Sequence, residues 1–207
     1  MTREIPGHTR LASLPDDPVE LFAAWHERAV AASEIQYPSA MCLSTVSPRG
    51  RPQGRFVIAH PQPDGTFVFL TDADSPKARG LAVTPAAALT AYWGAPLELQ
   101  IRLEGAVEPV EAEIADAIFT RRPRASQMTH FVSRQSRPAT LPELAAGLER
   151  LETELGEDES PGRPDHWVGF RLVPERFEFW EARARRLHDR FLYTRDGGGW
   201  SKTRLAP

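Results

Sequence analysis

At 207 residues the chain can bury a sizeable core, and its length suits one domain with short helical additions. Its 25 Lys+Arg against 28 Asp+Glu give a net charge of -3, which excludes a generalised polyanion binder and means that any anion site must be found by position. A single cysteine excludes an internal disulfide, no Cys/His spacing of the zinc type is present, and no window approaches the roughly 20 apolar residues of a membrane span. With no signal-peptide pattern in MTREIPGHTR, a soluble, metal-free protein of the reducing cytoplasm is expected.

Residues 1–15 read as a flexible polar lead and residues 16–207 as a single domain. Asp17-Pro18-Val19-Glu20 supplies an N-cap, a proline at the first helical position and an acid three residues on, which predicts a helix from about Pro18 to Ala32. Phe22, Trp25 and Ala29 fall on one face of it and are expected in the core. From Ala40 the period changes to that of strands: AMCLSTVS, GRFVIAH and TFVFLT are separated by turn residues, with Cys42 expected as a buried, inert thiol. SPKARGLAV predicts a short helix, AAALTAYW and LELQIRLEGAVEPV two more strands, and EAEIADAIFTRR a helix behind them. Thr140-Leu141-Pro142-Glu143 is a capping box opening a helix whose Leu144, Leu148, Leu151 and Leu155 form one stripe, read as core or dimer packing. After an acidic Pro/Gly loop, WVGFRLV, RFEFWEA, RFLYTRD and WSKTRL are late strands. The pattern predicts a mainly β fold, an antiparallel barrel with peripheral helices. No Gly-x-Gly-x-x-Gly or Walker-type turn occurs, so a nucleotide-like cofactor must be held another way.

Three basic clusters could carry chemistry. In Arg183-Ala184-Arg185-Arg186-Leu187-His188-Asp189-Arg190, an extended backbone over 186–190 would project Arg186, His188 and Arg190 to one face. Aligned like charges call for an anion or an electron-rich ring against them, although the pattern alone favours a solvated basic edge. Arg55, with Thr71, Ser75 and Lys77 in TDADSPKARG, offers the fork donors, hydroxyls and point charge that a phosphate monoester uses; taken alone, ordinary surface polarity accounts for it. Arg121, Arg122, Arg124 and Ser126 read as a third basic loop, with Gln135 and Ser136 adding neutral donors. No Ser/His/Asp order or paired carboxylates support a hydrolase. From the residues alone the chain is an anion-binding barrel protein.

Phe177-Glu178-Phe179-Trp180, followed after Glu181 and four intervening residues by Arg186-Leu187-His188-Asp189-Arg190, resembles the C-terminal signature of the pyridoxamine 5'-phosphate oxidase family. The same order of features runs through Asp17-Pro18, Arg55-Phe56-Val57, Ser75-Pro76-Lys77, Trp93, Gln100, Arg122-Pro123, Ser126-Gln127, Val132-Ser133-Arg134-Gln135-Ser136 and Arg204-Leu205-Ala206-Pro207, so the resemblance covers nearly the whole chain from about residue 15.

The resemblance implies an FMN-binding split β-barrel and a homodimer with FMN at the subunit interface. It places Arg55 and Lys77, helped by Thr71 and Ser75, on the FMN phosphate. Phe56, Val57, Ile58 and Leu70 lie in the same cofactor-binding stretches, and Gln100, Gln135, Ser136, Trp180 and Arg190 would hold the rest of the flavin. It further implies an oxidase in which substrate gives a hydride to FMN and dioxygen reoxidises it, with Arg186 and His188 orienting the substrate and assisting proton movement. On the substrate side it places Arg122 and Ser126, with His60 and Ile118 where vitamer oxidases carry a lysine and a tyrosine; Pro76 stands where an arginine commonly flanks the phosphate-binding lysine. A small anionic substrate follows, and no nucleic acid. The phenazine-biosynthesis branch, acting on a reduced aromatic acid, is the alternative, and a non-catalytic flavin-binding protein a third, against which Arg186 and His188 both speak.

Overall fold

The computed structural model describes residues 7–156 and 159–207. Asp17 caps helix α1 (Pro18–Ala31), its carboxylate accepting the Val19 N–H at 2.9 Å, and Pro18 starts the first turn at the position where no N–H is needed. The buried face carries Leu21, Phe22, Trp25 and Ala29. Phe22 meets Phe67 edge-on at 4.8 Å and Trp25 meets Phe179 at 5.3 Å, which fixes α1 across the sheet through its aromatic contacts.

The described residues form one antiparallel sheet: β1 (Ala40–Val46), β2 (Pro52–Ile58), the two-residue β3 (His60–Pro61), β4 (Phe67–Asp72), β5 (Ala86–Trp93), β6 (Leu99–Pro109), β7 (Trp167–Glu181), β8 (Asp189–Asp196) and β9 (Gly199–Arg204). The order is β2-β1-β5-β6-β7-β4-β3, with β8 on the second half of β7 and β9 beyond it. The sheet curls into a half-barrel because long β7 serves three neighbours, pairing with β4 through Trp167 to Leu172, with β8 through Arg176 to Glu181, and with β6 along most of its length. The expected mainly β architecture with peripheral helices is the one observed.

The two late strands read as WVGFRLV and RFEFWEA are one strand. Gly105 pairs with Pro174 and Glu104 with Arg176, so Glu175 is the extra residue of a bulge that lets a proline, which lacks a ladder donor, sit inside the strand. Strand β4 is buried throughout. Phe67 and Phe69 face the main core, while Val68 and Leu70 join Trp167 and the buried Ala115 and Phe119 of α3 (Ala112–Thr120) in a second, smaller core. Cys42 is half-buried, not interior, because Met41 and Leu43 take the inward positions of β1.

Helix α2 (Pro76–Val83) begins at Ser75, whose hydroxyl caps Ala78 N–H, and it lies directly on β1 at Gly80. A Cβ at Gly80 would stand 2.6 Å from the carbonyl oxygen of Val46, which is backbone and cannot swing aside. Gly80→Ala is therefore expected to push α2 outward, lowering stability by about 1 to 3 kcal/mol and shifting Lys77 on the same helix; thermal unfolding checks the loss.

The basic stretch read as a loop is partly helical: α4 (Arg124–Val132) starts after Pro123 and buries Gln127 and Met128. Gln127 binds the carbonyls of Thr120 and Arg122 through its amide, tying the end of α3 to α4. The capping box at Thr140 opens α5 (Leu141–Leu155) as expected. Its leucine stripe is only half-buried, resting on α4, so it is not part of the main core. The N-terminal lead, residues 1–15, is expected to be flexible. Residues 1–6 lie outside the described residues, whereas His8 to Pro15 are attached to β8 and β9: Thr9 N–H and His8 meet Asp189, Tyr193 donates to Pro15 O, and Lys202 donates to Leu14 O.

Candidate active site

A cavity of about 720 Å³ opens beside β2 and is lined by Arg55, Phe56, Val57, Ile58, Leu70, Lys77, Gln135 and Ser136, together with Arg122, His130 and Trp167. Lys77 is its chemical centre. Its side chain is 6% exposed, and Nζ donates to Thr71 Oγ1 at 2.8 Å and Gln135 Oε1 at 3.0 Å, both neutral acceptors. Among the described residues no carboxylate lies within ion-pairing distance of it, since Asp72 is taken by Arg134 at 3.0 Å. Burial, with the Arg55 guanidinium adding to it and Asp72 opposing, pushes the Lys77 ammonium down to about 8. Arg55 is held by Leu43 O at 3.1 Å and Thr45 Oγ1 at 2.7 Å, again by neutral oxygens. Thr71 and the fully buried Ser75 lie behind Lys77 with their hydroxyls 3.1 Å apart. Two buried or half-buried cations with neutral partners lack compensating charge, so the pocket is built for an anion.

The loop carrying Gln135 and Ser136 is positioned by charge. Arg134 bridges Asp72 and Asp74, and Arg137 reaches Asp74 at 2.6 Å, which presses the loop onto the end of β4. Ser136 has a φ of 66°, a left-handed backbone that the flanking contacts hold.

The C-terminal cluster is arranged differently from its expected geometry. β8 begins only at Asp189; Ala184–Arg186 is a tight 3-10 turn in which Arg185 and Arg186 have φ of 57° and 62°. Arg186 and Leu187 are thus not extended, and the alternation argument fails there, because the turn must reverse the chain between β7 and β8. His188 nevertheless packs against Trp180, with ring centroids 4.7 Å apart and the planes tilted by 39°, and its Nδ1 accepts the Arg183 N–H at 3.2 Å. Arg190 sits opposite Trp180 in the ladder, and Trp180 opposite Gln100. Arg190 is engaged by Glu178 at 2.7 Å, and Arg186 is exposed. None of Gln100, Trp180, Arg186, His188 or Arg190 lines the Lys77 cavity.

The comparisons with known proteins decide the family. The pyridoxamine 5'-phosphate oxidase model matches residues 28–150, and the pyridoxine 5'-phosphate oxidase C-terminal dimerisation region matches residues 167–207. The chain belongs to the pyridoxamine 5'-phosphate oxidase family. Pyridoxine/pyridoxamine 5'-phosphate oxidase of Bordetella petrii is 44% identical over 92% of this chain and 89% of its own, and that of Rubrobacter xylanophilus 43% identical over 92% and 87%. Among solved structures, PhzG from Burkholderia lata, in complex with tetrahydrophenazine-1-carboxylic acid, superposes with a TM-score of 0.87 at 29% identity over 100% of this chain and 98% of that one. A pyridoxamine 5'-phosphate oxidase-related, FMN-binding protein of Nostoc punctiforme shares the fold with a TM-score of 0.77 at 18% identity over 94% of this chain. The fold is the FMN-binding split barrel of this family.

Against the family pattern, the residues expected around the cofactor phosphate converge in one place, and those expected around the flavin ring and substrate divide between that cavity and the β6–β8 cluster. Arg122 lines the cavity with Ser126 3.5 Å from its Nη1, while His60 and Ile118 line a neighbouring cavity of about 500 Å³ with Arg121. His60 Nε2 is buried with no hydrogen-bond partner, and burial, with Arg122 and Arg121 nearby, lowers its pKa, so its ring is a neutral group. Sequence reasoning missed His130 and Trp167. Their rings stack at 3.8 Å and 23°, joining α4 to the first residue of β7 across the wall of the cavity. No local spacing links residues so far apart in the chain.

Proposed function

We propose that this chain is an FMN-dependent oxidase of the pyridoxine/pyridoxamine 5'-phosphate oxidase type, acting as a homodimer on a small anionic substrate in the cytoplasm. The observation that carries the reading is the buried ammonium of Lys77, uncompensated and flanked by Arg55, Thr71 and Ser75 in a cavity that suits a phosphate monoester. Arg55 and Lys77 supply the charge, Thr71 and Ser75 fix the lysine and offer hydroxyls, and Gln135 and Ser136 supply an amide and a hydroxyl beside it. Phe56, Val57, Ile58 and Leu70 give the apolar wall along which a flavin ring would lie.

Two further features support a dimer. Phe56 on β2 is 74% exposed and Ile58 also reaches the surface, an apolar edge that a second copy would cover. Gln100, Trp180 and Arg190 lie outside the cavity of their own chain, and the family's dimerisation region spans them except Gln100. Gln100, Trp180 and Arg190 of the partner subunit would therefore complete the ring pocket, with Arg186 and His188 of the partner subunit towards substrate. FMN bound there would take a hydride from a carbon bearing an amine or alcohol, or from a reduced ring, and return the electrons to dioxygen. Arg186, free of a carboxylate partner among the described residues, orients the substrate anion or oxygen, and His188, braced on Trp180, holds or moves a proton at its ring nitrogen.

A second reading, oxidation of a reduced aromatic acid, is favoured by the neutral His60 and apolar Ile118, which leave Arg122 and Ser126 as the anion contacts on the substrate side. The PhzG likeness points the same way. Purified protein is expected to be yellow; colourless protein that takes up no added FMN would refute both readings. Hydrogen peroxide release with pyridoxamine 5'-phosphate, compared with a dihydrophenazine carboxylic acid, separates them: faster turnover of the vitamer supports the first, and turnover of the aromatic acid alone the second.

A further inference from the structure

We propose that His130 is a positioning residue for Arg122, holding Nη1 so that the unengaged Nη2 of the guanidinium is left as the donor for the substrate's anionic group. The inference rests on the oxidase reading for the identity of the anion as substrate, and on the geometry for the rest. Arg122 Nη1 lies 2.7 Å from His130 Nε2. An arginine has only donors to give, so Nε2 must be the acceptor, and the imidazole is neutral with its proton on Nδ1. The ring cannot drift, because it stacks on Trp167 at 3.8 Å while its own backbone carbonyl accepts from His166. Arg122 in turn lies 5.7 Å over the Trp167 ring.

That arrangement uses one arm of the guanidinium and leaves another. Nη1 is spent on His130, with Ser126 Oγ at 3.5 Å, Nε is buried, and among the described residues no hydrogen bond engages Nη2. Nη2 is the arm left for an oxygen of a carboxylate or phosphate. Among the described residues no carboxylate pairs with Arg122, and burial is what lowers its pKa. A histidine that merely filled space against Trp167 would not account for the 2.7 Å contact to a cation.

Burial, then Arg122 from the loop after α3, then His166 from the loop before β7, push the pKa of His130 down to about 4; Asp72, of opposite charge, stands 3.9 Å from His166. Below about pH 4 the ring becomes a donor and repels Arg122, so this placement is lost on the acid side.

The test uses the FMN-loaded protein. Ring-nitrogen NMR of His130 is expected to show a neutral Nδ1–H tautomer at pH 7 and a midpoint near 4 that rises in Arg122→Met. A His130→Phe variant keeps a ring on Trp167 and removes the acceptor. It is expected to retain FMN affinity and thermal midpoint while binding pyridoxal 5'-phosphate or phenazine-1-carboxylate, whichever the wild type takes, about tenfold more weakly. In turnover KM rises by a similar factor and kcat changes little; His130→Gln, which restores an acceptor, recovers part of the loss. A protonated or Nε2–H ring at pH 7, or unchanged affinity in His130→Phe, would overturn the proposal. If the wild type binds neither anion, the oxidase reading falls and this proposal with it, a result that the ring-nitrogen shifts distinguish from failure of the pairing itself.

Discussion

Lys77→Met is expected to weaken FMN binding by roughly a hundredfold or more while the ligand-free protein becomes more stable. Methionine keeps the stem that packs between α2 and β4 and removes only the ammonium. Truncating one partner of a buried, hydrogen-bonded charge pair costs about 2 to 5 kcal/mol, and 3 kcal/mol is about two powers of ten in affinity. In the free protein the same ammonium is a burden, since it sits 6% exposed against neutral oxygens. Its folded pKa of about 8 lies below the ordinary 10.5, so the unfolded chain binds the extra proton more readily. Stability of the ligand-free protein should accordingly rise as pH increases from about 8 towards 10.5, and that rise should be absent in Lys77→Met. FMN affinity should move the opposite way, falling above pH 8 as the lysine loses its charge. Fluorescence titration of FMN across pH, with chemical denaturation of the apo form, measures both; equal FMN affinity in the variant would remove Lys77 from the site.

Asp189→Asn should be the most damaging single change at the C-terminal end, lowering stability by about 3 kcal/mol. The carboxylate is fully buried and receives four donors: His8 Nδ1 at 2.9 Å, Thr9 N–H at 3.1 Å, Arg183 Nε at 2.7 Å and Arg204 Nη1 at 2.6 Å. Arg204 also reaches Thr9 O, so one side chain ties the N-terminal segment, β8 and β9 together. Burial alone would raise the Asp189 pKa, but Arg204, Arg183, His8 and the Thr9 N–H outweigh it and hold the carboxyl well below the usual carboxylate range. An asparagine puts an NH2 where a donor already points, removes the carboxylate that Arg204 pairs with and leaves Arg183 with Glu181 alone. Removing one partner of a buried pair costs about 3 to 5 kcal/mol, and the lower end applies because both arginines reach solvent. For a chain of this size that is a fall of roughly 6 to 12 °C in Tm. Because the folded pKa is depressed, the contribution is present above about pH 4 and is lost as pH falls further. The gap between wild type and variant should therefore be full at pH 7 and shrink in strong acid. The proposed peroxide-producing activity should fall with it, since the turn bearing Arg186 and His188 opens directly from this anchor. A variant with an unchanged Tm would show that the hub adds nothing to stability.

How much of this was legible beforehand depended on whether the physics was local. The caps at Asp17 and Thr140, the period-two strands and the aromatic face of α1 are short-range consequences of backbone donors and side-chain direction, and each stands where the sequence placed it. The clustering of Arg55, Lys77, Gln135 and Ser136 was readable only through resemblance, because residues far apart in the chain meet there through the pairing of β1 with β2 and the Arg134–Asp72 ion pair. Features whose cause is a distant partner were misread. The β7 bulge needs the register of β6, α4 needs the tie from Gln127 to the end of α3, and the left-handed Arg185 and Arg186 need the β7–β8 reversal, none of which alternation within 186–190 can express. His130 gave no sequence signal at all. Its meaning comes from a stack on Trp167 and a bond to Arg122 that exist only once α4 is folded onto the start of β7. The amino-acid order by itself determined a mainly β, family-type barrel with a stock of cations. Tertiary structure decided which of those cations are buried without a counter-charge, and desolvation, which acts only after packing, is what turns them into an anion site.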